Sequence, residues 1–88
     1  MTDLSTDIFI ADKIFRTRLI NARKGRKITQ KEMAEISGLS TSSISNLESE
    51  TTQPSLNTII RYLYSLGYEL TIQETTGYIR PITYIEEW

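Results

Sequence analysis

The fold of this chain is decided within residues 29–48, which read TQKEMAEISGLSTSSISNLE. Thr29 and Glu32 have the spacing of a capping box, in which each side chain accepts a backbone N–H of the other residue. They predict the start of a short helix, and Gly38 predicts its end, because glycine adopts the left-handed conformation of a tight turn without strain. The side chains expected to face inward from this helix are Met33, Ala34 and Ile36.

A second short helix is predicted after the turn. Ser40 is suited to cap its first turn, and Ile44 and Leu47 lie three residues apart, on one face. The alternative is that residues 39–46 form a Ser/Thr-rich loop, but a loop requires neither this apolar spacing nor a capping box before it. We therefore expect Ile44 and Leu47 to anchor the helix on the core and its other side to face solvent.

Two longer helices are predicted to flank this pair. Apolar residues at helical spacing predict a helix over about 11–24, ended by Gly25. Another begins after Pro54, is capped by Ser55 and ends at Gly67. The apolar side chains of these two helices are Phe15, Leu19 and Ala22 in the first and Leu56, Ile59, Ile60, Leu63 and Leu66 in the second. We expect three tyrosines to pack against helices or strand rather than to stack on bases: Tyr62, Tyr64 and Tyr68.

The stretch after the last helix reads YELTIQ at residues 68–73 and alternates apolar with polar side chains of high β propensity. This alternation predicts a half-buried strand. Since the chain offers no second convincing strand, we expect this one to pair with its copy in a homodimer. Tyr68, Leu70 and Ile72 are the predicted dimer residues, and Thr71 lies on the opposite face.

Charge is distributed unevenly along the chain, although the net charge is only −1. Residues 13–31 contain basic residues and no acidic ones, whereas residues 1–12 and 32–88 are both net acidic. A basic segment of this kind is expected of a protein that binds a phosphate backbone. The alternatives are a solvated basic helix face, or a surface for membranes or acidic proteins.

Composition excludes several classes of protein. The 88 residues correspond to a single domain, and they include no Cys and no His. A disulfide scaffold, a zinc finger and a Cys or His nucleophile are therefore excluded, and we expect no enzymatic activity, no metal and no cofactor. The N-terminal residues are acidic where a signal peptide is basic, and no apolar run approaches a membrane span. We expect a soluble, cytoplasmic protein.

Two short helices crossing at a glycine turn suit one function in particular. The N-terminal end of the second helix can enter a DNA major groove while the first crosses the backbone. Ser, Thr and Asn, which fill the exposed side of the second helix, can both donate and accept hydrogen bonds to base edges and phosphates. Together with the basic segment, this pattern predicts a DNA-binding surface.

Four stretches resemble the Cro/CI-type (XRE) helix-turn-helix repressors: ITQKEMA at 28–34, SGLS at 37–40, ISNLE at 44–48 and PSL at 54–56. The resemblance covers residues 15–67 and implies an all-α, lambda-repressor-like fold of four helices. Two features depart from the family: a strand stands where a fifth helix is usual, and the loop over 49–53 lacks basic residues.

The resemblance also implies roles for particular residues. It implies an ion pair between Arg23 and Glu48 that holds the fold together. The implied base-reading residues are Ser40, Thr41, Ser42, Ser45 and Asn46. The residues expected to contact the DNA backbone are Arg26, Lys27, Thr29, Gln30 and Lys31.

Residues 65–72, which read SLGYELTI, are similar to the Hip-type antitoxins. That similarity implies a repressor that binds a palindromic operator in double-stranded DNA as a homodimer, regulates its own operon and binds a HipA-like Ser/Thr kinase toxin. Antitoxins of ribonuclease toxins and stand-alone regulators share much of the pattern. The alternative from another class is an interaction-only module that inhibits or scaffolds a protein without DNA.

The predicted organisation has four parts. They are an N-terminal extension over 1–10, the DNA-binding domain over 11–67, the dimerising β-strand over 68–74 and a C-terminal tail over 75–88. Tyr84 and Trp88 are apolar anchors in the tail, and we expect it to bind the partner protein or to act as a turnover signal. The alternative is that the tail folds back over the helices.

Overall fold

The computed structural model describes residues 4–49 and 52–72 of the chain. These residues form four helices, as predicted: α1 (Leu4–Gly25), α2 (Gln30–Ser37), α3 (Thr41–Glu48) and α4 (Leu56–Ser65). Helix α1 begins at Leu4 rather than near residue 11, so residues 4–10 of the predicted N-terminal extension are helical. The described part of the chain is therefore all-α.

Both ends of α2 have the geometry that the sequence predicts. The Thr29 hydroxyl accepts the Glu32 backbone N–H at 3.1 Å, and the Glu32 carboxylate accepts the Thr29 N–H at 2.8 Å. These hydrogen bonds hold the pKa of Glu32 below its usual range. At the other end, Gly38 has φ 75° and donates its N–H to the carbonyl of Ala34. The capping box and the left-handed turn together fix the direction in which the chain enters α3.

The core lies where α2, α3 and α4 pack together, with the second half of α1 against α3. Its fully buried side chains include Met33, Ile44, Leu47 and Tyr62. The rest of the core consists of Leu19, Ala34, Leu63 and Leu66, with Phe15, Ala22, Ile28, Leu39 and Ile59 partly buried around it. The predicted anchoring of α3 by Ile44 and Leu47 is confirmed.

Four side chains that the sequence predicts to pack are exposed instead: Ile36, Leu56, Tyr64 and Tyr68. On α2 the inward position near the C-terminus is taken by Ser37, which continues the face of Met33 and Ala34. On α4 the buried face follows residues 59, 62, 63 and 66, which excludes positions 56 and 64. Apolar character alone did not identify the buried face in these cases.

The predicted dimerising strand is not confirmed. Residues 68–72 pair with no other described segment as a β-ladder, and Tyr68, Leu70 and Ile72 are all exposed. Residues 73 and 74 and the predicted tail over 75–88, with Tyr84 and Trp88, lie outside the described residues.

Candidate nucleic-acid interface

Helix α3 presents one polar face to solvent. Thr41, Ser42, Ser45 and Asn46 are all exposed on it, so four of the five predicted base-reading side chains stand on one accessible surface. The fifth, Ser40, caps the helix: its hydroxyl accepts the Ser43 backbone N–H at 3.0 Å and donates to the Ser43 hydroxyl at 2.9 Å. Ser40 therefore stabilises the first turn of α3, which carries Thr41 and Ser42.

The opposite end of α3 is held by a buried carboxylate, that of Glu48. Arg23 of α1 donates to it through two nitrogen atoms, Nε to Oε2 at 2.6 Å and Nη2 to Oε1 at 3.0 Å. Both side chains are almost completely buried. The same guanidinium donates to the carbonyl of Ile28 at 2.6 Å, immediately before the capping box. The implied Arg23–Glu48 pair is thus present, and Arg23 joins α1 both to α3 and to the segment that leads into α2.

Two further side chains complete the surroundings of Glu48. The Tyr62 hydroxyl of α4 donates to Oε2 at 2.6 Å and lies 3.1 Å from the carbonyl oxygen of Leu19. The Gln30 amide of α2 donates to Oε1 at 3.0 Å. A single carboxylate at the end of α3 is therefore bonded to each of the other three helices.

The pKa values in this cluster follow from its contacts. Burial alone would raise the pKa of Glu48, but the hydrogen bonds from Arg23, Tyr62 and Gln30 outweigh burial and hold it below its usual value. The hydrogen bond to Glu48 raises the pKa of Arg23. Burial, together with the adjacent carboxylate, raises the pKa of the Tyr62 hydroxyl far above its usual value. The ion pair is charged, and Tyr62 is a neutral donor, at neutral pH.

Arg16 is a second buried arginine that reaches α3 from α1. Its Nη1 atom donates to the carbonyls of Asn46, at 3.1 Å, and Leu47, at 3.2 Å, and also to that of Ser49. Its Nη2 atom donates to the carbonyl of Thr52 at 2.8 Å. Arg16 thereby satisfies carbonyl groups at the C-terminal end of α3 that have no partner within the helix.

The burial of Arg16 and Arg23 corrects the charge-based expectation. Both were counted in the basic segment over 13–31, but neither side chain is available to a phosphate group. The basic residues of that segment that are exposed are Lys13, Arg18, Lys24, Arg26, Lys27 and Lys31. The last three are predicted backbone-contacting residues, and they lie at or just before the start of α2.

Three of the predicted backbone-contacting residues, Arg26, Thr29 and Gln30, have partners within the domain. Arg26 lies over the ring of Tyr68, 5.0 Å from its centroid, and donates to the carbonyl of Ala22 at 3.0 Å. Lys27 has a positive φ of 59°, which turns the chain into the capping box. Thr29 is engaged in that box, and Gln30, half-buried, donates to Glu48. These contacts place the predicted backbone-contacting residues around the entrance to α2.

Residues 19–73 match the helix-turn-helix family. The chain belongs to the helix-turn-helix family. The matched range covers more than half of the sequence and includes α2, the turn at Gly38, α3 and α4. Searches of the curated proteins and of the solved structures gave no match.

The family match and the exposed face of α3 identify a sequence-specific DNA-binding regulator of the XRE helix-turn-helix type. In a helix-turn-helix motif the second helix reads bases and the first crosses the DNA backbone, and α3 and α2 occupy these two positions in the chain. Within residues 4–49 and 52–72, no helix is both long enough and apolar enough to span a membrane. The same residues contain no acidic cluster that could hold a metal ion.

Sequence reasoning missed two members of this helix-turn-helix site. Tyr62 was expected to pack in the core, and it does, but its hydroxyl also bonds to Glu48. Arg16 was counted only as a surface charge. The sole local signal for Arg16 is Asp12, one helical turn earlier, which accepts from its Nε atom at 2.8 Å.

Proposed function

We propose that this helix-turn-helix protein is a transcriptional repressor that binds a palindromic operator in double-stranded DNA as a homodimer and has no catalytic activity of its own. The observation that carries the proposal is the contrast between the exposed polar face of α3 and its buried C-terminal end. Thr41, Ser42, Ser45 and Asn46 are free to approach base edges, while Glu48 is bonded to three other helices. A reading surface on a rigid support is what sequence recognition requires.

The backbone contacts in this proposal come from the N-terminal end of α2. Lys27 and Lys31 are exposed there, and their positive charges would neutralise phosphates on either side of the groove. One amide N–H of Gln30 is used by Glu48, which leaves the second N–H to donate to a phosphate oxygen. Because Glu48 orients this amide, the same carboxylate that fixes α3 also positions a backbone contact on α2.

Dimerisation in this proposal uses residues 68–73. Leu70 is 41% exposed and Ile72 is 100% exposed in the single chain, so apolar surface is left for a second copy to cover. Pairing of two such segments about a two-fold axis would form an antiparallel ribbon. It would also place two recognition helices roughly 34 Å apart, one helical turn of DNA.

DNA binding is tested by selecting duplexes from a random library with the purified protein and then measuring affinity by mobility shift at several salt concentrations. We expect an enriched palindrome and an affinity that falls steeply with salt. Lys27→Ala should weaken binding to all duplexes and reduce the salt dependence. The matched control is Arg61→Ala, which removes a positive charge from α4, outside the basic segment. No enrichment would favour the interaction-only alternative.

Within this function, we propose that the chain is the antitoxin of a type II toxin–antitoxin module with a HipA-like Ser/Thr kinase toxin as partner. The similarity of residues 65–72 to Hip-type antitoxins supports the proposal. The predicted partner-binding tail includes Tyr84 and Trp88. Co-expression with the product of the adjacent reading frame should give a stable complex that loses kinase activity, and deletion of residues 78–88 should weaken it.

The same experiment separates the remaining possibilities. A partner with ribonuclease activity would indicate an antitoxin of another class. Absence of any complex, together with a selected operator, would indicate a stand-alone regulator. If the deletion lowers the melting temperature sharply and leaves partner binding unchanged, the tail belongs to the core instead.

A further inference from the structure

We propose that Arg16 is a positioning residue for base recognition: it fixes the orientation of recognition helix α3 by holding the backbone at its C-terminal end. The inference rests on the proposed DNA-binding function. Arg16 is buried, it lies on α1, and it donates to the carbonyls of Asn46, Leu47, Ser49 and Thr52. None of these acceptors belongs to its own helix.

The chemistry of arginine suits this position. The last carbonyls of a helix have no partner within the helix and carry the negative end of its dipole, so a cation with several donors stabilises them. A guanidinium offers five N–H donors in one plane, whereas a lysine ammonium offers three from a single point. Asp12 accepts from the Nε atom at 2.8 Å and thus orients the guanidinium plane toward α3.

Arg16 and Arg23 together form a two-point attachment of α3 to α1. They lie seven positions apart on the same face of α1, which corresponds to roughly 10 Å along the helix axis. Arg23 holds the Glu48 side chain, and Arg16 holds the backbone on both sides of Glu48. Because the two arginines act on the last turn of α3 from different positions on α1, each restrains a movement of that turn that the other alone would allow.

This attachment is adjacent to the reading surface. The carbonyl that accepts from Arg16 at 3.1 Å belongs to Asn46, one of the exposed side chains predicted to read bases. Arg16 also donates to the carbonyl of Thr52, which precedes α4. A change at Arg16, which is itself buried, should therefore alter base choice through the position of α3 rather than through weaker binding of a phosphate group.

The test compares Arg16→Met and Arg16→Lys with Arg18→Met, which removes the same charge from an exposed position on α1. Each protein is titrated with the duplex that the wild type selects and with a scrambled duplex of equal length. For Arg16→Met we expect the ratio of the two affinities to fall by about tenfold. Its affinity for the scrambled duplex should change no more than that of Arg18→Met, and Arg16→Lys should give an intermediate ratio.

Amide hydrogen exchange without DNA provides the second measurement. The Ser49 N–H donates to the carbonyl of Ser45 and closes the last turn of α3, so Arg16→Met should speed its exchange by about tenfold while Arg18→Met leaves it unchanged. If Arg16→Met does not fold, Asp12→Asn, which retains the arginine, is measured in the same two ways with a smaller expected effect.

The outcomes separate this inference from the function on which it rests. If the wild type selects no duplex, the proposed function fails, whatever exchange shows at Ser49. If the wild type selects a duplex and the Arg16 variants retain both its affinity ratio and the slow exchange of Ser49, the positioning role is overturned. Faster exchange with an unchanged affinity ratio also overturns it, because the attachment would then be purely structural.

Discussion

The two ends of α3 differ in every property that concerns function. The N-terminal end is capped by its own Ser40 and presents Thr41 and Ser42 to solvent. At the C-terminal end Leu47 and Glu48 are buried, and side chains from α1, α2 and α4 donate hydrogen bonds to Glu48. The N-terminal end can contact another molecule, whereas the side chains at the C-terminal end are bonded within the domain.

Within the eight residues of α3, the proposed DNA-reading side chains are therefore distinct from the side chains that hold the helix in the domain. Substitutions at the N-terminal end should change which DNA is bound and leave the fold nearly as it was. Substitutions at the C-terminal end should change the free energy of unfolding first. The four predictions that follow test this division, beginning with the largest expected effect.

Loss of the carboxylate at the C-terminal end should cost the most. Glu48→Ala leaves the buried Arg23 guanidinium without its partner, and we expect a loss of about 3–5 kcal/mol in the free energy of unfolding. Urea denaturation followed by circular dichroism measures it. The control is Glu35→Ala at an exposed position of α2, which should change stability by no more than about 0.5 kcal/mol. Equal stabilities for the two variants would contradict the assigned role of Glu48.

Stability should also depend on pH through the same carboxylate. The pKa of Glu48 in the folded protein lies below the usual value of 4.5, so the folded state binds the proton less readily than the unfolded state. The stability gained from this difference is complete above pH 4.5 and is lost as the pH falls through the folded-state pKa. Unfolding measured from pH 7 to pH 3 should show this loss in the wild type and less of it in Glu48→Gln. Identical pH profiles would exclude Glu48 as the responsible group.

At the N-terminal end the expected effect is on DNA. Thr41→Ala combined with Ser42→Ala should reduce the preference for the selected duplex by about 1–3 kcal/mol for each base that the protein no longer reads. The free energy of unfolding should stay within about 0.5 kcal/mol of the wild type, because both side chains are exposed. Mobility shifts and urea denaturation on the same preparation measure both quantities. An unchanged duplex preference would show that this surface does not read bases.

The smallest effect should come from Ser40. Ser40→Ala removes the hydroxyl that accepts the Ser43 N–H at 3.0 Å, and loss of such a cap costs about 1 kcal/mol. Ser40→Asp, which can accept the same N–H, should restore stability but place a negative charge near the DNA phosphates. We therefore expect Ser40→Asp to fold as well as the wild type and to bind DNA more weakly. Melting temperature and mobility shift separate the two effects.

Structural features that involve only a few neighbouring residues could be predicted from the sequence. The capping box of Thr29 and Glu32, the left-handed turn at Gly38 and the cap at Ser40 each involve groups within one helical turn. Their geometry follows from local backbone sterics and hydrogen bonding, so the order of the elements could be predicted. The start of α1 at Leu4 was not predicted, because its first buried side chain is that of Arg16 and apolar spacing marks only the turns of a helix that pack against the core.

Contacts between residues far apart in the sequence could be predicted only in part. The pairing of Arg23 with Glu48, 25 residues apart, was expected from the family resemblance and not from local pattern. The role of Arg16 was not expected at all. Its acceptors are main-chain carbonyls as far as 36 residues away. Because every residue has a main-chain carbonyl, the sequence does not show which of them will accept a hydrogen bond from Arg16.

The sequence by itself determined that four helices form, that two of them cross at Gly38 and that a Ser/Thr-rich face covers the second. Only the tertiary structure decided which basic residues are buried in the domain and which are exposed and able to contact DNA. Arg16 and Arg18 are two positions apart with the same side chain, yet the first is buried and the second exposed. Helical periodicity places them on different faces, but only the packing of α3 against α1 determines which face is covered.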